Sequence, residues 1–173
     1  IRDREYSPSS FSEIRDLLEE DVVKSIGETG LDFYRNFSAA KQQELSFEAH
    51  LELAIETRYP LFLHERDAHK RFIEIISPYK EDLPKSVVHC FTGNKDALEK
   101  YIEMGFYIGI TGWLCDERRG KHLIDLIPII PLDKLMIETD CPYLLPRDMG
   151  IDNSTRNEPQ FLKHIAERIA EIR

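Results

Sequence analysis

The chain has 173 residues, with 32 Asp and Glu against 23 Lys and Arg, a formal charge of −9 and a hydrophobic share of 42%. That balance excludes disordered, collagen-like and disulfide-scaffold classes, and the acidic total argues against a broad, sequence-independent nucleic-acid surface. No apolar run approaches the roughly 20 residues of a membrane span, and no basic-then-apolar leader opens at Ile1. The cysteines, Cys90, Cys115 and Cys141, cannot all pair and show no C-x-x-C spacing. They read as reduced thiols of a cytoplasmic, single-domain protein spanning residues 1–173.

In chain order, Ser10-Phe-Ser-Glu13 is a capping box ahead of Ile14, Leu17 and Leu18, and predicts a first helix. Val22–Gly27 is then the first of five short apolar runs; the others are Tyr59–Leu63, Ser86–Val88, Phe106–Ile110 and Leu135–Ile137. Each has little polar alternation, as in strands of a parallel sheet buried on both faces. Asn94 to Met104 puts Leu98, Tyr101 and Ile102 on one helical face, with Gly105 placed to end it. Glu158 to Arg173 has Pro159 early and an apolar stripe at Phe161, Ile165, Ile169 and Ile172, which predicts a closing helix.

Successive βα units predict a right-handed parallel array. No G-x-G-x-x-G or P-loop follows any run, so a nucleotide-binding open sheet loses its usual signature. Polar chemistry instead recurs where run after run stops: Glu28, His64, His89, Thr111 and Asp140. An open sheet gathers its ligand at one switch point, whereas a barrel draws residues from many strand ends. The predicted class is therefore α/β, a TIM (β/α)8 barrel. Eight units need about 250 residues, so the chain reads as most of a barrel, its first strands and last strand lying outside this sequence.

Four segments hold the chemistry: Ile26-Gly-Glu28-Thr-Gly-Leu-Asp32, Pro60-Leu-Phe-Leu-His64-Glu-Arg66-Asp67, His89-Cys-Phe-Thr-Gly93 and Ile137-Glu138-Thr-Asp140-Cys-Pro142-Tyr-Leu144. They offer a carboxylate, two imidazoles and a carboxylate, a donor set for borderline or hard divalent ions; no thiolate cluster suggests a structural zinc knot. Taken singly, each has a plainer reading. A histidine ending a strand is often a hydrogen-bonded structural residue, Glu28 could be a loop carboxylate, and Asp140 an Asx-turn residue. Convergence of all four at a barrel mouth favours a metal site.

The stretches IGETGLDFYRNFS, FLHERDAH, VVHCFTG, YIGITGWLCDERRG and LMIETDCPYLLPRD followed by RNEP resemble the TatD family of metal-dependent DNases. The resemblance runs from about Val22 to Pro159. It implies a TIM-barrel hydrolase of the broad amidohydrolase type, acting as a 3′–5′ exonuclease on single-stranded DNA or RNA. By motif position, Glu28 is implied as a metal ligand shared between two ions, His64 and His89 as ligands of one ion, and Asp140 of the other. The His-x-His that commonly opens the family's first strand, and a further histidine-bearing segment before the glutamate strand, are not in this sequence.

Several arginines follow the predicted strand ends: Arg35, Arg66, Arg118, Arg119, Arg147 and Arg156. Their planar forks suit bidentate phosphate contacts, and Arg66, Arg118, Arg119 and Arg156 are the substrate-binding candidates. The plainer reading of Arg118 and Arg119 is neutralisation of the adjacent Asp116 and Glu117. Phe33, Tyr34, Phe91 and Trp113 could stack on bases or pack helix against barrel. The expected reaction is phosphodiester hydrolysis at the end of a single strand of DNA or RNA. It would be supported by one or two divalent ions, Mg²⁺ or Mn²⁺, with Zn²⁺ able to occupy the site in a crystal, and Asp140 and Glu28 as catalytic carboxylates. Neither a membrane nor an obligate protein partner is implied. The rivals are hydrolysis of a small amide, lactone or nucleobase on the same barrel, and a non-catalytic barrel remnant; the retained glutamate, two histidines and aspartate disfavour the latter.

Overall fold

The computed structural model describes residues 8–173, with side chains from Phe11 onward. The chain divides into two compact units, one ending at Val87 and one beginning at Val88.

The first unit contains α1 (Pro8–Leu18), β1 (Ile26–Asp32), α2 (Ala40–Thr57), β2 (Leu61–Arg66) and α3 (His69–Ile76). Helix α1 starts at Pro8, so Ser10 lies inside the helix and not at its cap. Strands β1 and β2 pair in parallel, from Ile26 opposite Leu61 to Asp32 opposite Arg66, with an irregularity between Gly27 and Thr29. Both strands run past the point where the apolar residues stop, because the ladder continues through IGETGLD and LHER. The first apolar run predicted a strand from Val22; Val22 is instead 80% exposed and the strand begins at Ile26. Gly30 lets the strands approach closely, since a Cβ there would sit 2.0 Å from the His64 carbonyl oxygen. The core gathers Leu31, Leu51, Leu61, Leu63 and Ile76 around Phe47 stacked on Phe72, centroids 4.8 Å apart. Burying aliphatic and aromatic area on this scale is what holds a βα layer together.

The strand β3 (Val87–Val88) lies at the division. The second unit continues with α4 (Lys95–Glu103), β4 (Tyr107–Ile110), α5 (Lys121–Ile124), β5 (Leu135–Ile137) and α6 (Leu162–Ile172). Helix α4 forms as its sequence predicts: the Asn94 side chain accepts from Ala97 N–H at 2.9 Å, and Gly105 follows the helix with φ +85°. Strands β4 and β5 are parallel, Ile108 opposite Leu135 and Ile110 opposite Ile137. Leu98, Tyr101, Ile108, Ile110 and Ile127 are buried, and α6 presents Ile165 and Ile169 to this core. A 3₁₀ turn at Pro159–Phe161 precedes α6, so the closing helix begins four residues later than the predicted start at Glu158. Among the described residues no helix is long and apolar enough to cross a membrane. All three cysteines are free thiols.

Candidate metal and catalytic site

In the first unit Glu28 and His64 come together. Both lie within their strands rather than at the ends, and His64 Nδ1 is 2.6 Å from Glu28 Oε1. On the other side of the ring, His64 Nε2 is 3.1 Å from Asp32 Oδ2. Glu28 sits at the irregularity in β1 and Asp32 at the end of the same strand, and from these two positions both carboxylates reach one imidazole. Asp32 is itself fixed. Its Oδ1 accepts from Arg35 N–H at 2.7 Å, its backbone N–H donates to Gln43 Oε1 at 2.8 Å, and Gln43 Nε2 donates to its carbonyl at 3.2 Å. Burial alone would raise the Asp32 pKa, but the Arg35 N–H, His64 and the Arg35 guanidinium outweigh it and hold the carboxyl below its ordinary range.

This arrangement fits a divalent cation. An imidazole nitrogen and a carboxylate oxygen stand side by side, while a second carboxylate holds the remote ring nitrogen, as outer partners do for ligating histidines. Asp32 and Gln43 were not among the residues singled out by sequence. Asp32 was legible in principle, since it closes the same IGETGLD motif.

In the second unit His89 directly follows β3 and is 6% exposed. Its Nδ1 is 3.6 Å from Glu138 Oε2. Glu138 directly follows β5, and its Oε1 also accepts a short hydrogen bond from the Cys90 backbone N–H. The carboxylate lies over β4 at Gly109, where a Cβ would come within 2.2 Å of Glu138 Oε1. Thr111, first residue after β4, caps the following turn by accepting from Trp113 N–H at 3.3 Å. Asp140 stands three residues beyond β5, exposed and with φ 54°. The expectation that every chemical residue sits where its strand stops therefore holds for His89 and Thr111, but not for Glu28, His64 or Asp140.

Most of these arginines are committed locally. Asp116 is 2% exposed and its carboxylate takes a fork from Arg118, at 2.9 and 2.7 Å, and a further bond from Arg119 Nε at 2.9 Å. The Arg118 bonds, above all, hold the Asp116 carboxyl far below the usual carboxylate range despite its burial. Both guanidinium groups stay about half exposed, and Arg119 lies 4.1 Å over the Trp113 ring. Arg66 lies 4.0 Å over Tyr34, and Arg156 is exposed beside Asn157. Of the aromatic candidates, Phe91 is buried edge-on to Tyr101 and serves packing.

A second group of metal-competent side chains, Cys115, Asp148 and His164, also meets in this unit. Asp148 is already engaged, with Oδ1 2.6 Å from His164 Nε2 and Oδ2 3.9 Å from Arg168 Nε. Burial, then Asp148, pushes the Cys115 thiol up to about 12. A protonated thiol and a carboxylate facing a guanidinium join the turn at Gly112–Cys115 to α6.

Solved structures place the fold. The TatD homolog from Escherichia coli K12 superposes with a TM-score of 0.86 at 27% identity, over 97% of this chain and 64% of its own. A TatD family hydrolase from Entamoeba histolytica gives 0.79 at 28% identity, over 96% and 62%. The expected class, the α/β TIM-barrel hydrolase fold of which this chain carries a part, is borne out by this likeness. The chain belongs to the TatD related DNase family, which it matches over residues 2–173. It is similar to curated proteins named 3′-5′ ssDNA/RNA exonuclease TatD. The one from Salmonella typhimurium is 51% identical over 167 residues, 96% of this chain and 64% of the relative. The one from a Rahnella species is 56% identical over 158 residues, 91% and 60%. The chain thus spans less than two thirds of the length of these relatives.

Proposed function

We propose that the full-length protein is a divalent-metal-dependent nuclease that hydrolyses single-stranded DNA or RNA from the 3′ end, with Glu28, His64, His89 and Asp140 as metal ligands. The observation that carries this reading is the Glu28–His64 pair backed by Asp32, found in a chain of the TatD related DNase family. Mg²⁺ or Mn²⁺ suits the predominantly oxygen and imidazole donors, in one or two copies. When bound, such an ion lowers the pKa of water and neutralises charge on a phosphate.

The chain's own side chains do the rest. Asp140, exposed on its loop, accepts the proton of the attacking water. Glu28 sets its carboxylate beside His64, and Asp32 fixes that ring. The half-exposed edges of Arg118 and Arg119, turned away from Asp116, remain able to meet a phosphate oxygen, with Arg66 and Arg156 as further contacts. Free thiols fit a reducing, cytoplasmic setting.

The test is release of nucleotides from 5′- and 3′-labelled single-stranded oligonucleotides by full-length protein, after chelation and after return of Mg²⁺ or Mn²⁺. Shortening from the 3′ end only with metal present is the expected result. Undiminished degradation in excess chelator overturns the metal reading. Inertness toward oligonucleotides combined with turnover of an amide or lactone overturns the nuclease reading.

A further inference from the structure

The loop carrying Asp140 has little packing of its own. Residues 140–143 are exposed, and the strand before it spans only Leu135–Ile137, with Met136 45% and Ile137 37% exposed. Asp140 and Leu144 also adopt left-handed backbone angles, φ 54° and 55°. Aspartate tolerates such an angle, but a bulky residue such as Leu144 holds it only where its surroundings impose it.

One buried side chain imposes it here. Asn157 is 3% exposed, and its amide nitrogen donates to the Thr139 carbonyl at 2.7 Å, Thr139 Oγ1 at 3.0 Å, the Tyr143 carbonyl at 2.6 Å and the Leu144 carbonyl at 3.3 Å. Its backbone N–H donates to the Pro142 carbonyl at 3.1 Å. The two amide hydrogens are thus shared among four acceptors that flank Asp140 on both sides. Within the loop, Tyr143 N–H donates to the Asp140 carbonyl at 3.0 Å. Asn157 Oδ1 is buried without a hydrogen-bond partner among the described residues. An unpartnered buried acceptor is costly, so what this asparagine contributes to the loop comes from its donors.

We propose that Asn157 is a positioning residue: it clamps the Thr139–Leu144 loop so that the Asp140 carboxylate is presented in one orientation. The inference rests on the reading of Asp140 as the residue that handles the attacking water. It adds that Asn157 of the RNEP segment acts through the loop and not on substrate, so the clamp governs turnover more than binding. Misplacing a reacting group by about 1 Å can cost about 100-fold in rate.

The experiment measures kcat and KM of the full-length protein on a single-stranded oligonucleotide with Mg²⁺, below the melting temperature of every variant. Asn157→Ala is expected to lower kcat by about 100-fold and leave KM within about twofold. Asn157→Asp keeps the shape but offers at most one hydrogen to four acceptors, so it is expected to lose as much. Added to Asp140→Asn, either change is expected to cost nothing more, because the clamp acts only through that carboxylate. Recovery of wild-type kcat by Asn157→Asp shows that the residue only fills space and overturns the inference. So does an equal loss in the presence and absence of the Asp140 carboxylate. Full activity of Asp140→Asn alone overturns the underlying reading of Asp140, and is distinct from both.

Discussion

The two units each back a histidine with a carboxylate, but they assemble the pair differently. In the first, Asp32 and Glu28 share one strand and flank His64 on the paired strand, so the whole device comes from two neighbouring β-segments. In the second, Glu138 follows β5 and reaches over Gly109 to His89 and to the Cys90 N–H, 48 residues away in sequence. The first device is local and rests on two paired strands, with Glu28 at the irregularity of β1. The second is long-range and rests on a hole in β4 that only glycine leaves. Two routes thus set a carboxylate beside an imidazole, within hydrogen-bond distance at His64, 3.1 Å, and as a longer ion-pair contact at His89, 3.6 Å.

Breaking the chemistry itself should give the largest effect. Asp140→Asn should lower the proposed exonuclease rate of the full-length protein by about 10²–10⁴-fold while sparing the melting temperature, since it removes the proposed proton acceptor from an exposed loop. A wild-type rate would remove Asp140 from the reaction. If His64 and His89 share one ion, as proposed, His64→Ala and His89→Ala should each abolish most of its affinity, and the double variant should bind little worse than either. Additive losses in a metal titration would mean the two histidines serve separate ions or none.

The carboxylates sharpen the comparison directly. Asp32→Asn and Glu138→Gln should each weaken metal binding by about 10–100-fold, the usual effect of removing an outer partner. Glycine substitutions should then separate the two routes. At Gly30 an added Cβ meets the His64 backbone carbonyl with φ at +141°, so Gly30→Ala should lower the melting temperature and disturb the β1–β2 pairing. At Gly109 the added Cβ meets the far end of the Glu138 side chain, so Gly109→Ala should reproduce the metal defect of Glu138→Gln with a smaller thermal penalty. Equal melting shifts with no metal defect at Gly109 would sever Glu138 from His89.

Smaller effects belong to the arginines. If Arg118 and Arg119 contact phosphate, replacing each by Ala should flatten the logarithmic salt dependence of oligonucleotide binding by about 0.7. An unchanged slope would leave both as partners of Asp116 alone. Their bonds to Asp116 lower its folded pKa, so the stabilisation is present above the ordinary carboxylate pKa of about 4 and is lost as pH falls through the folded value. Arg118→Ala should therefore move acid unfolding to higher pH. Smallest of all, exposed Cys141 should react with a maleimide in the native protein, while buried Cys115, its thiol pushed up to about 12, should react only on unfolding.

Composition and periodicity were enough for the α/β class, for most of the strand positions and for α4 with its Asn94 cap, because burial pattern and capping are local properties of a segment. Motif content likewise marked Glu28, His64, His89 and Asp140 as residues to examine. Strand limits were less legible. The β1–β2 ladder runs on through polar Glu28, Asp32 and Arg66, since backbone pairing ignores side-chain polarity. Arg118 and Arg119 could be read from sequence either as phosphate contacts or as partners of an acid. The structure pairs both with Asp116, because that carboxylate is buried and a buried charge needs partners. Glu138 and Asn157 belong to tertiary structure alone. One needs the gap above Gly109, and the other needs a chain reversal that brings residue 157 against four acceptors between Thr139 and Leu144. Sequence specifies which atoms can donate and accept, but only the folded path decides which of them lie within about 3 Å of each other.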